Sequence, residues 1–160
     1  MGLMQLKSGL VRAAGPLGGY RICRLLTRAT PKFLMYHRFS EKPRPGHVHR
    51  AAFEQQVRYL NRHFNVMRMD EVVEALAKAP DTLNNAVVIT VDDGYLDFYE
   101  LAFPVLREAG LPATLFVTTR FVDGDFWLWP DQVRYVLQHS EYLEPAGIPG
   151  RLCGERVRID

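Results

Sequence analysis

Two cysteines in 160 residues are too few for a disulfide framework, and Cys23 and Cys153 lie too far apart to share the short spacing of a thiolate metal site. They read as unpaired thiols in a reducing compartment. Long apolar runs are also missing. Arg12, Arg21, Arg24 and Arg28 interrupt every early hydrophobic stretch, which excludes a membrane-spanning helix there. Leu10-Val11 is too short for the core of a secretory signal, and Gly9, Gly15-Pro16 and Gly18-Gly19 break up its surroundings. The expected location is cytoplasmic or peripheral to a membrane. An organellar transit peptide is the alternative, because the start is rich in arginine and free of acids. Internal repeats and low-complexity tracts are absent as well.

Acidic residues are missing from one region in particular. Residues 1–32 carry Lys7, Arg12, Arg21, Arg24, Arg28 and Lys32 without a single acid, whereas the remaining 14 basic residues face all 18 acids, a net of −4. A basic segment on a mildly acidic body suggests a partner for that segment, most simply an anionic membrane surface. The body has no basic face of the kind that binds nucleic acid. Arg21, Arg24 and Arg28 recur on one side of residues 17–28, and Ile22, Leu25 and Leu26 on another, which predicts a short basic amphipathic helix. Such a helix lies on a membrane or packs on the body. The expected division is a basic segment over residues 1–32 and one domain over 33–160, with enough apolar content (48%) for a core.

Periodicity then gives alternating strands and helices. Phe33 to His37 reads as a short buried strand. Residues 51–62 read as a helix with Phe53, Val57 and Leu60 inward, followed by a short strand in 64–69. Asp70 reads as the N-cap of a helix reaching Ala79. Ala86 to Val91 is the strongest strand, continuous and β-branched, which implies burial on both faces of a parallel sheet. Phe98, Leu101, Ala102, Val105 and Leu106 form the next helical face, kinked or restarted at Pro104 and ended by Gly110. Ala113 to Thr118 reads as another buried strand. Pro130 opens a helix with Val133, Val136 and Leu137 inward, and Arg156 to Asp160 alternates like a strand. The class is α/β with parallel strands, either doubly wound or a barrel.

In such architectures the C-terminal strand ends share one rim, where sites form. His37, Asp92-Asp93 and Thr118 are placed there. Adjacent carboxylates raise each other's pKa unless a cation intervenes. With a divalent ion, one carboxylate ligates and the other remains a base for bound water. Gly94 allows the tight turn that points both side chains at one pocket. The alternative is a loop cap at Asp92 and an ordinary turn at Asp93-Gly94. His47-Val48-His49 reads as a solvated loop, His63 and His139 as helix-terminal residues, and His37 as a pocket residue. Trp127 and Trp129, close to Phe126, either cover the body or stack on a sugar ring.

Val88-Ile89-Thr90-Val91-Asp92-Asp93-Gly94-Tyr95, followed by Pro104-Val105-Leu106 and Gly110-Leu111-Pro112-Ala113-Thr114-Leu115-Phe116-Val117, resembles the first motif region of the polysaccharide deacetylases (carbohydrate esterase family 4, the NodB homology domain). Phe33-Leu34-Met35-Tyr36-His37-Arg38 resembles the opening strand of an exopolysaccharide-associated branch. The resemblance implies a partial (β/α) barrel that hydrolyses N-acetyl groups on an amino-sugar polysaccharide, with a divalent metal, commonly zinc. By position it implies Asp92 as general base and Asp93 as metal ligand, with His37, Tyr95 and Trp129 as candidate substrate-pocket residues.

The chain departs from the family pattern in its second motif, His-Ser/Thr-x-x-His. The nearest candidate, His139-Ser140-Glu141-Tyr142-Leu143, has Leu143 in place of the second histidine and reads as a continuation of the preceding helix. The family's later motifs have no counterpart, so a truncated frame with an incomplete metal site is expected. The alternative function is a truncated or degenerate carbohydrate-binding domain without catalysis. An aspartate-based phosphohydrolase would need Asp where Val91 stands, and a glycosidase would need a second, separated rim carboxylate.

Overall fold

The computed structural model describes residues 18–139 and the backbone of 142–143 and 157–158. It divides into two units, residues 1–118 and 119–160. In the first unit the order is α1 (Gly19–Leu26), β1 (Lys32–Tyr36), β2 (Phe39–Ser40), β3 (Val48–His49), α2 (Arg50–His63), β4 (Asn65–Val66), α3 (Met69–Lys78) and β5 (Ala86–Val91). A π-helical turn (Phe98–Ala102), α4 (Phe103–Ala109) and β6 (Thr114–Leu115) follow.

β5 is the centre of the sheet and every partner runs parallel to it. β1 pairs along one edge, from Lys32 beside Val87 to Tyr36 beside Val91. The other edge is shared. β4 takes its start, where the Asn85 and Val87 carbonyls accept from Asn65 and Met67, and β6 takes its end, where the Val91 carbonyl accepts from Phe116. All six β5 residues are buried, as the unbroken β-branched run predicts. Val87, Ile89 and Val91 point into one layer with Phe53, Val57 and Leu60 of α2 and Val105 and Leu106 of α4. Ala86 and Val88 point the other way, against Val72 of α3 and Leu83. The parallel α/β class therefore holds for this unit.

Several local expectations are corrected. β1 is not buried on both faces: Phe33 and Met35 are exposed, while Leu34 and Tyr36 pack on the α2 layer. The strand expected over 113–118 is regular only at Thr114–Leu115, and Leu115, Phe116 and Val117 are exposed because no described layer covers them. The N-cap of α3 is Arg68. Asp70 sits in the first turn, bound by the Arg68 guanidinium at 3.0 and 2.9 Å, and Glu71 accepts the Arg68 backbone N–H at 2.9 Å. Acids there suit the positive end of the helix. His47 and His49 are half-buried. Their rings contact the Pro45 and Glu41 carbonyls, and His49 belongs to the strand pair β2–β3.

Pro104 lies in the first turn of α4, which follows the π-turn, and Gly110 ends it in the left-handed region at φ 65°, where a residue without Cβ is favoured.

The second unit contains α5 (Thr119–Val122), α6 (Trp129–His139) and the antiparallel backbone pair β7 (Tyr142–Leu143) and β8 (Val157–Arg158). Its details also depart from expectation. Val133, Val136 and Leu137 are exposed, and Tyr142–Leu143 is a strand, not more helix. His139 is the last described residue of α6, with its Nδ1 2.8 Å from the Tyr135 carbonyl. Ser140 and Glu141 lie outside the described residues.

Candidate active site

The parallel pairing of β1, β5 and β6 brings their C-terminal ends to one rim. The Asp92 N–H donates to the Tyr36 carbonyl at 2.9 Å, which is the last rung between β1 and β5. His37 follows on one side and Asp92 on the other, with Nε2 3.8 Å from Oδ2. On the β6 side the Thr118 N–H donates to the Asp93 carbonyl at 3.3 Å. His37, Asp92, Asp93 and Thr118, some 80 positions apart at the extremes, are thus neighbours by topology.

The backbone between the carboxylates is unusual. Asp93 has φ 77° and Gly94 φ 85°. Two consecutive left-handed residues interrupt strand alternation, and glycine is needed at only one of them because Asp enters this region more readily than most residues with a Cβ. The sequence reading gave the whole turn to Gly94; Asp93 bears half of it. Strain at a residue with a reactive side chain is a recurrent feature of functional sites. Asp92 is about a quarter exposed and His37 about half, so the pair faces solvent.

Behind the rim, Tyr36 packs edge-on to Phe53 at 5.2 Å and beside Phe39 at 5.8 Å. Burial pushes its phenol pKa up, which keeps the hydroxyl protonated as donor to Gln56 Oε1 at 2.8 Å. Tyr95, another expected pocket residue, lies under the Arg38 guanidinium, 3.7 Å from the ring centre. Arg38 also donates from Nε to Asp97 Oδ2 at 2.7 Å. Neither Arg38 nor Asp97 was singled out from the sequence. The available signal was a base directly after His37 and an acid shortly after Asp92-Asp93, at two strand ends already expected to meet.

Trp129 belongs to the second unit, where it opens α6 and is 72% exposed. Trp127 packs against Tyr135 at 5.5 Å in that same unit.

A catalytic zinc takes three protein ligands. Among the described residues no group of three His, Cys, Asp or Glu side chains is arranged to hold a metal. His37, Asp92 and Asp93 share the rim without forming such a set, so a zinc site is not built from the described residues alone.

Residues 79–141 match the family profile described as polysaccharide deacetylase. The Bacillus subtilis (strain 168) protein YxkH, assigned provisionally as a polysaccharide deacetylase, is 30% identical over 112 residues, 69% of this chain and 40% of that protein. The Streptococcus pyogenes deacetylase PplD, solved with acetate, is 26% identical, covering 67% of this chain and 51% of PplD, with a TM-score of 0.53. A de-N-acetylase from Aggregatibacter actinomycetemcomitans has the same kind of fold, with a TM-score of 0.52 at 19% identity over 80% of this chain and 61% of that one. The chain belongs to the polysaccharide deacetylase family. It spans about two fifths of the length of the curated relative and about half that of PplD.

Proposed function

We propose that the rim of His37, Asp92 and Asp93 belongs to a hydrolase site that removes N-acetyl groups from an amino-sugar polysaccharide. The observation that supports this most is the left-handed turn at Asp93-Gly94 directly after a fully buried strand, with the Asp92 carboxylate 3.8 Å from His37. Asp92 is the general base: it takes a proton from the water that attacks the acetamide carbon, and the amine leaves once its nitrogen is protonated. His37, 3.8 Å from Asp92 Oδ2, is placed to fix that carboxylate or exchange a proton with it. Asp93 is the oxygen ligand for a divalent cation, zinc by the family resemblance, whose chemistry would be to polarise the acetamide carbonyl. The remaining ligands would come from outside the described set. Tyr95 is the candidate sugar contact at this rim, and Trp129 is a separate candidate in the second unit.

Acetate release from N-acetylglucosamine oligomers, with added zinc, tests the assignment. Slow release is expected from the 160-residue chain, whose described residues supply no complete ligand set. Asp92→Asn should lower it by roughly 10²–10⁴-fold, with circular dichroism unchanged. Full turnover in Asp92→Asn would overturn the mechanism. A second reading, carbohydrate binding without turnover, is favoured by the incomplete ligand set. It predicts saturable oligomer binding with no acetate in wild type or variant.

A second partner is an anionic membrane surface, met by the basic N-terminal segment. Its support is α1, which exposes Ile22, Leu25 and Leu26 beside Arg21. No helix among the described residues is long and apolar enough to cross a membrane.

A further inference from the structure

Among the described residues, the Arg38–Asp97 ion pair joins the two strand ends of the rim beside the His37–Asp92 contact. Arg50–Glu41, Arg68–Asp70 and Lys78–Glu74 link near neighbours, and each keeps a third or more of both side chains exposed. Arg38 and Asp97 are 59 positions apart, only 22% and 16% exposed, and 2.7 Å apart. The guanidinium simultaneously lies 3.7 Å above the Tyr95 ring, close enough for a strong cation–π contact. Arg38 is itself fixed, because its carbonyl accepts the Val48 N–H at 2.9 Å. Asp97 depends on it: Oδ1 is buried without a hydrogen-bond partner among the described residues, so Arg38 provides the charge compensation for a half-satisfied carboxylate.

These contacts bracket the strained turn. Before it, Asp92 is tied to Tyr36 by a backbone hydrogen bond. Directly after Gly94, Tyr95 and Asp97 are both gripped by Arg38, the residue next to His37. We propose that Arg38 is a positioning residue, which with Asp97 holds the Asp92-Asp93-Gly94 turn in its left-handed conformation and so fixes where the two carboxylates point relative to His37. This rests on the reading of Asp92 and Asp93 as the reacting pair. A planar guanidinium that stacks and hydrogen-bonds at once does this in a way that lysine cannot.

The test has one readout that needs no activity. Amide hydrogen exchange would be followed at Thr118, whose N–H donates to the Asp93 carbonyl, and at the central β5 amides. In Arg38→Met, Thr118 exchange should quicken by about tenfold or more as the turn is released, with the β5 amides within about twofold. Arg38→Lys should fall between Arg38→Met and wild type. Asp97→Asn should match Arg38→Met, and serves in its place should the latter fail to fold. The double variant should be no worse than either single one. In acetate release, kcat should fall about 10- to 100-fold with KM nearly constant, the signature of misplaced reacting groups. Unchanged Thr118 exchange in a folded Arg38→Met, or equal acceleration at every β5 amide, would overturn the proposal. If wild type releases no acetate, the deacetylase reading fails, and the exchange data alone decide the positioning role.

Discussion

At the scale of single residues, Asp93 combines backbone strain with the proposed metal-ligand role. At φ 77° it occupies the region that a β-carbon disfavours, although Asp tolerates it better than alanine does. Asp93→Gly should keep the turn, whereas Asp93→Ala should be less stable than Asp93→Gly by about 1 kcal/mol. Urea midpoints at equal slope read this difference directly. Both variants lack the carboxylate, and both should lose zinc-supported acetate release. Equal midpoints would mean that the turn relaxes out of the left-handed region once the aspartate is gone. The Asp-Asp-Gly sequence made the turn legible. It did not reveal which residue bears the strain, because either order of left-handed residues fits the same letters.

Elements show where periodicity suffices and where it stops. β5 was legible because five apolar residues, four of them β-branched valine or isoleucine, and one threonine admit burial on both faces, and the structure supplies a helical layer on each. The same kind of run misled at Phe33–His37 and Ala113–Thr118. A strand's sequence states what it can bury, and its neighbours decide what is covered. Phe33 and Met35 stand beside Val88 and Thr90 in register, yet 49% and 64% of their surfaces remain exposed. Ile89→Ala should therefore cost about 2–5 kcal/mol in unfolding free energy, since it opens a cavity among fully buried neighbours. Met35→Ala should stay within about 0.5 kcal/mol, as surface changes do. A loss at Met35 matching that at Ile89 would show that a further layer covers β1 in solution. The rim itself followed from topology: once β1, β5 and β6 are parallel, His37, Asp92 and Thr118 must meet. The Arg38–Asp97 pair was only half legible: topology brings a base after His37 near an acid after Asp92-Asp93, but nothing in letters 59 positions apart specifies a 2.7 Å contact.

For the whole molecule the governing fact is charge asymmetry: six bases and no acid in residues 1–32, against a net of −4 in the rest. Structure adds direction to that charge. In α1, Arg24 turns inward to donate to the Tyr59 hydroxyl at 2.8 Å, while Ile22, Leu25 and Leu26 are 59%, 63% and 79% exposed. The helix thus rests on its unit by a polar contact and offers an apolar face outward, with Arg21 and Arg28 exposed nearby. On the proposed membrane reading, this face would insert while the bases attract anionic lipid. Sedimentation with vesicles separates the two contributions. Binding to anionic vesicles should exceed binding to neutral ones and should collapse towards about 1 M salt, where the screening length is about 3 Å. Ile22→Asp with Leu26→Asp should weaken binding by about tenfold or more, because each buried side chain of this size is worth about 1.5–3 kcal/mol. The melting temperature should not move, since neither residue is buried in its unit. Equal binding to neutral and anionic vesicles would reject the electrostatic contribution. Undiminished binding by the double variant would show that α1 is not the inserting face, and a fall in melting temperature would mean that its apolar side packs on protein.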